Sequence, residues 1–112
     1  MEEFSFEQVE NASNNSPAIS IYEAEGQIRF NKNLFLKMDN PTHVSVFFDV
    51  VRNVVAFKPL RAKVDGAYKV YTSPEGGSNI SGAKLMKRYR ISPQMGVPVK
   101  LHTNGMFIAK LK

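Results

Sequence analysis

Gly26-Gln27-Ile28-Arg29-Phe30-Asn31-Lys32-Asn33-Leu34 is the stretch that decides the fold. The glycine turns the chain. Ile28 and Phe30 alternate with polar residues, the period of a half-buried strand. Asn31 is placed to cap a helix by accepting from backbone N–H groups. Residues 32–38 then supply about two helical turns, with Leu34 and Met38 four apart on one face. A strand that runs straight into a capped helical turn is a compact signature.

Working outward, Ile19 and Ile21 alternate before the turn, as a preceding strand would. After the helix, Asp39-Asn40-Pro41-Thr42 is a stop, because proline disfavours helical geometry in the residue before it. Val44, Val46 and Phe48 alternate, residues 49–53 turn, and Val55, Phe57 and Pro59 return. The same order then recurs. Tyr68 and Val70 alternate, Ser73-Pro74-Glu75-Gly76-Gly77 turns, and Ile80 and Ser81 follow. Residues 83–89 make a second short helix with Leu85 and Tyr89 four apart, and residues 91–96 are read as its stop. Val97, Val99 and Leu101 alternate. Asn104-Gly105 is a hairpin signal, since both residues tolerate positive φ. Phe107, Ala109 and Leu111 return.

Laid over each other, the two runs correspond. Ile28 matches Ile80, Leu34 matches Leu85 and Met38 matches Tyr89. Val44, Val46 and Phe48 match Val97, Val99 and Leu101, and Val55 and Phe57 match Phe107 and Ala109. The order of elements repeats at an offset of about 51 to 53 residues, the sign of an internal repeat. The reading is therefore an acidic arm over 1–17 and one domain over 18–112. That domain holds unit one (18–60), a basic linker (61–66) and unit two (67–112).

The repeated unit resembles the AbrB/MraZ/SpoVT type of swapped-hairpin β-barrel: a strand, a glycine turn, a short strand, a lysine-x-leucine helical turn and an apolar hairpin. Here that pattern runs from Gly26 through Lys32-Asn33-Leu34 to Val54-Val55-Ala56-Phe57-Lys58-Pro59. Asn31 and Ala83 stand where the family usually has a proline. Gln27 and, loosely, Ser78 stand where it often has an arginine. Phe30-Asn31-Lys32 and the Gly77-Ser78-Asn79-Ile80-Ser81 stretch are also similar to small phage and mobile-element proteins. The resemblance implies a mainly β fold with two short helices. It would be a pseudo-twofold swapped-hairpin barrel, closed by two tandem units of one chain, since closure removes free sheet edges.

Charge points toward a partner. Residues 1–25 hold Glu2, Glu3, Glu7, Glu10, Glu23 and Glu25 and no Lys or Arg, a charge of −6. Residues 26–112 hold all 15 Lys and Arg against Asp39, Asp49, Asp65 and Glu75, a charge of +11. Such a basic domain suggests a polyanion. The resemblance implies DNA contacts from the first strands and the loop into the helical turn, which places them at Arg29 and Lys32 in unit one and at Lys69, Lys84 and Lys87 in unit two. Arg88 and Arg90 complete the densest basic cluster, Lys87-Arg88-Tyr89-Arg90. Lys and Arg neutralise phosphates and release counterions. Asn31, Asn33 and Asn79 are candidates to reach phosphates or base edges. Tyr22, Tyr68, Tyr71 and Tyr89 are candidates to stack on single strands, with half-buried packing as the plainer role. The expected partner is nucleic acid, duplex DNA first.

The competing class is a protein-interaction or structural module of a phage or mobile element. Its acidic arm, with Phe4, Phe6 and Val9, would dock on this domain, on a second copy or on another protein. Enzyme chemistry is not expected. There is no Cys, and His43 and His102 are isolated beside turns. No helix carries metal ligands at i, i+4 spacing, and Gly76-Gly77 lacks the Lys-Ser/Thr ending of a phosphate loop. No cofactor is expected. No stretch approaches the roughly 18 apolar residues of a membrane span, and the acidic start is unlike a signal peptide, so a cytoplasmic location is expected.

Overall fold

The computed structural model describes residues 16–24 and 26–112. The acidic segment with Phe4, Phe6 and Val9 lies outside the described residues, as does Glu25. The chain is mainly β with two short helices. The first run is β1 (Ala18–Tyr22), β2 (Gln27–Phe30), α1 (Lys32–Lys37), β3 (His43–Asp49) and β4 (Val54–Leu60). The second is β5 (Tyr68–Lys69), β6 (Tyr71–Thr72), β7 (Ser78–Ser81), α2 (Ala83–Tyr89), β8 (Gln94–Leu101) and β9 (Phe107–Lys110).

All pairings are antiparallel, in the order β5-β3-β4-β9-β8-β1-β2-β7-β6. The two ends of that order, β5 and β6, are consecutive in the chain and separated only by Val70. One short bent segment thus pairs with β3 on one side and β7 on the other, and the sheet nearly closes into a barrel. Val70 is buried at the bend, and its N–H donates to the carbonyl of Thr42 at 2.9 Å. Residues 68–72 read as one alternating strand from sequence; the bend divides them because they serve two neighbours.

The pairing crosses between the runs. β8 pairs with β1 as well as β9, β2 pairs with β7, and β4 pairs with β9. Ile28 faces Ile80, its own counterpart in the repeat reading. Val55 faces Ala109 and Phe57 faces Phe107, so the matched residues pair crosswise about Ala56 and Ile108. The separation is 52 positions in both ladders (28 to 80, 56 to 108).

The core is the inward row of these strands. Phe30, Phe57, Ile19, Ile21, Ile28 and Ile80 are among its fully buried side chains. Phe30 and Phe57 meet edge to face with centroids 5.1 Å apart at 80°. That orientation sets a positive ring edge on a negative face and adds about 1 kcal/mol for the pair beyond the burial of the rings. The helices add to this core, with Leu34 and Met38 of the α1 region and Leu85 and Met86 of α2 buried in it. Phe48, on β3, packs on Tyr89, on α2, at 4.7 Å.

Four local readings change. Helix α1 ends before proline acts: Asp39 (φ 64°) and Asn40 (φ 49°) are left-handed, and their geometry stops the helix two residues upstream of Pro41. Helix α2 ends at Arg90, also left-handed, and residues 94–96, read as a stop, belong to β8. At the Asn104-Gly105 turn only Gly105 has positive φ. His102 N–H donates to Met106 O at 2.7 Å and Gly105 N–H to His102 O at 3.0 Å, so the loop has three residues with glycine in the left-handed place. Leu101, grouped with the inward residues, is 65% exposed at the end of β8.

Candidate nucleic-acid interface

The seven cations singled out from sequence are all exposed and fall into two groups. Lys84, Lys87, Arg88 and Arg90 lie on or just after α2. The helix shows them to solvent because Leu85 and Met86 face the core and Tyr89 is held by Phe48. No acid lies on α2. Arg88 stands 5.5 Å from the Tyr89 ring. Lys87 and Arg90 line a depression of about 560 Å³ whose opposite wall includes Glu23.

The second group belongs to the sheet. On β2, Ile28 and Phe30 face the core, so Gln27 and Arg29 face out; on β7, Asn79 and Ser81 do the same. Register then builds two rows. Tyr71, Asn79, Arg29 and Ser20 lie side by side across β6, β7, β2 and β1. Tyr22, Gln27 and Ser81 lie side by side across β1, β2 and β7. The Arg29 guanidinium sits 4.4 Å over the Tyr22 ring, and its Nε donates to Gln27 Oε1 at 3.0 Å. Lys69 Nζ is 5.3 Å from the Tyr71 ring. Each tyrosine therefore has an amide neighbour and a cation on its ring. Lys32, at the start of α1, lays its aliphatic stem against Gly76 of the β6–β7 turn, whose φ of +98° favours glycine.

A cleft of about 800 Å³ opens over this face. Tyr22, Gln27, Arg29 and Asn79 line it. Met95 and Gly96 wall one side where β8 bulges against β1, and Ser73, Glu75 and Gly77 of the β6–β7 turn wall the other. Gly96 N–H donates to Ser20 Oγ at 3.0 Å and fixes the bulge.

One candidate contact changes role. The Asn31 side chain is committed to structure. Its Oδ1 accepts from Leu34 N–H at 2.9 Å and Ala18 N–H at 3.2 Å, and its Nδ2 donates to Ser16 O at 2.6 Å. The cap foreseen from sequence is thus also a clasp between α1 and the start of β1. Asn33 is half-buried on α1, and Asn79 alone of the three asparagines stands in the outward rows.

Other cations escaped the sequence reading. Lys100, Lys110 and Lys112 line a groove of about 690 Å³ around Leu101, Ile108 and Leu111. Lys100 pairs directly with Ile108, which brings these lysines onto one outward surface. The hairpin signal was not enough: a two-residue turn at Asn104-Gly105 would set 100 opposite 109, and only the three-residue loop sets it opposite 108. Among the described residues no cluster of three or more His, Cys, Asp or Glu could hold a metal ion, and no helix is long and apolar enough to cross a membrane. Comparison of the chain with protein-family models, with curated proteins and with solved structures finds no match.

Proposed function

We propose that this chain binds nucleic acid, with α2 contacting phosphates and the adjoining sheet face completing the site. The reading extends to the chain as two copies of one unit in a swapped-hairpin barrel, which is what the crossed β2–β7 and β4–β9 pairings fit. The observation that carries the function is the exposure of Lys84, Lys87, Arg88 and Arg90 on one short segment without an acid among them. A wider imbalance supports it. The described residues hold 15 Lys and Arg against Glu23, Asp39, Asp49, Asp65 and Glu75, and Asp39 and Asp49 are engaged by Arg61 and Arg52. Cations in excess at a surface attract a polyanion and gain from the counterions they displace.

The test is binding of labelled oligonucleotides across a salt series. Affinity should fall steeply with salt. Reversing Lys84, Lys87 and Arg88 to Glu should weaken binding and flatten the slope by about 0.7 to 0.9 for each phosphate that is no longer neutralised. No binding at low salt defeats the reading.

A second reading has its own observation. On the β3–β4 hairpin, Phe47, Val50 and Val51 are 50%, 67% and 92% exposed, an apolar edge that suits a protein partner. Substituting all three with Ser would separate the two: it leaves oligonucleotide affinity unchanged and removes any self-association seen by sedimentation.

A further inference from the structure

We infer that the outward face of β1, β2, β7 and β6 binds unpaired bases, so that the nucleic acid held by this chain is single-stranded at this site. The inference rests on the nucleic-acid reading above and names the form of the ligand.

Tyr22 and Tyr71 lie on opposite flanks of the same four-strand face, each beside an amide, Gln27 and Asn79 respectively. Neighbouring strands are spaced by about 4.8 Å and alternate residues by about 7 Å, so the two backbone positions lie roughly 16 Å apart along the sheet. A platform of this size takes a few nucleotides, and a sheet with exposed aromatics is a known physical solution for stacking two or three bases. Tyr71 is 48% exposed and presents its ring. Tyr22 is half-buried, but Arg29 lies over it, at 4.4 Å, and extends the stack outward. A guanidinium plane stacks on a base as an aromatic ring does.

The cleft lined by Tyr22 and by Asn79, the cross-strand neighbour of Tyr71, favours a base over a phosphate. It is lined by amides, hydroxyls and apolar atoms, with Arg29 as its cation and Glu75 on its wall. A carboxylate repels a phosphate but accepts a hydrogen bond from a base amino group. The amides of Gln27 and Asn79 both donate and accept, as base edges require. A duplex keeps its bases stacked inside and its phosphates outside, so it cannot fill a recess of this kind without being opened. Phosphates of an unpaired strand have cations at the margins: Lys69 beside Tyr71, and Lys32 beside the β6–β7 turn.

The experiment compares one labelled 20-nucleotide sequence as single-stranded DNA, as RNA and as duplex DNA, by fluorescence anisotropy at low salt. The chain has no Trp and four Tyr, so quenching of tyrosine emission reports stacking directly. The expected result is tighter binding of the single strands than of the duplex, with quenching. Tyr71→Ala should weaken single-strand binding roughly 5- to 100-fold, the worth of one base–aromatic stack, and weaken duplex binding by a clearly smaller factor. Tyr71→Phe should keep the affinity, which controls for any loss of folding in the alanine variant. Duplex binding without single-strand binding overturns this inference and leaves the nucleic-acid reading standing. An equal fall in affinity for both forms in Tyr71→Ala, or no fall in either, also overturns it. Failure of every oligonucleotide to bind overturns both.

Discussion

Gly26 and Ala83 meet so closely that a Cβ built on Gly26 would lie 2.5 Å from the Cβ of Ala83. The residues belong to different halves of the chain. The contact seats the β1–β2 turn on the first residue of α2, and the N–H of Gly82 donates to the Gly26 carbonyl at 2.7 Å beside it. This clamp places the basic helix next to the sheet face.

Gly26→Ala should therefore be costly twice. The residue has φ +62°, where a side chain is strained by about 1–2 kcal/mol, and overpacking against Ala83 adds about 1–3 kcal/mol. Urea unfolding should show a loss of roughly 2–5 kcal/mol. Adding Ala83→Gly should recover only part of the packing share, since the Cα of residue 83 still lies 3.0 Å from the added Cβ. A loss under about 1 kcal/mol in the single variant would mean that the turn can move away from α2.

Asn31→Ala removes the cap of α1 and the clasp to Ala18 and Ser16 together. Loss of a cap alone costs about 1 kcal/mol, and the added bonds should bring the total near 2 kcal/mol. Oligonucleotide affinity measured below the unfolding transition should not change, since that amide is already engaged. A fall in affinity at unchanged stability would return Asn31 to the interface.

Arg90→Gly should act in opposite directions on stability and binding. Arg90 closes α2 at φ 53°, ψ 46°, a conformation glycine adopts without strain. Relief of about 1–2 kcal/mol is partly offset by the entropy of glycine in the unfolded chain, leaving a gain of about 0.5 kcal/mol. The same change deletes one exposed cation, so affinity should fall modestly and its salt slope should flatten. A variant that is both less stable and less able to bind would point to a packing role for the Arg90 side chain.

Asp49 supplies a pH handle on the β3–β4 turn. Its carboxylate accepts from the Arg52 N–H at 3.0 Å and from the Arg52 guanidinium at 2.9 Å. Those bonds, the backbone one first, hold its pKa below the ordinary 3.8. A group depressed in the folded state contributes its stability above the unfolded pKa and loses it as pH falls through the folded one. The turn should thus keep its geometry at neutral pH and loosen only in acid below the normal carboxylate range. NMR titration of Asp49 checks this: a midpoint at or above 3.8 would show that the bonds with Arg52 do not persist in solution.

Local chemistry made much of the chain legible without its structure. The alternation of Ile28 and Phe30, the cap at Asn31 and the helix over 83–89 all follow from contacts within a few residues, and each stands where the pattern put it. The exposure of Lys84, Lys87 and Arg88 was also readable, because Leu85 fixes which side of α2 turns inward. Helix ends were less so. They depend on left-handed residues, Asp39, Asn40 and Arg90, that tolerate this geometry without requiring it.

The tertiary structure alone decided which of these pieces share a surface. Nothing near Tyr22 in sequence announces Tyr71; they share a face because β2 pairs with β7 across 52 residues, and register sends Gln27, Arg29, Asn79 and Ser81 outward together. Nothing near Asn31 announces Ser16 or Ala18 as partners of its amide. Period and propensity are short-range properties, written wherever a few residues stand in order. Pairing is settled by which arrangement of the whole chain buries Phe30 against Phe57 and leaves no sheet edge long and bare. In this protein that long-range choice is what sets cations, tyrosines and amides on one face.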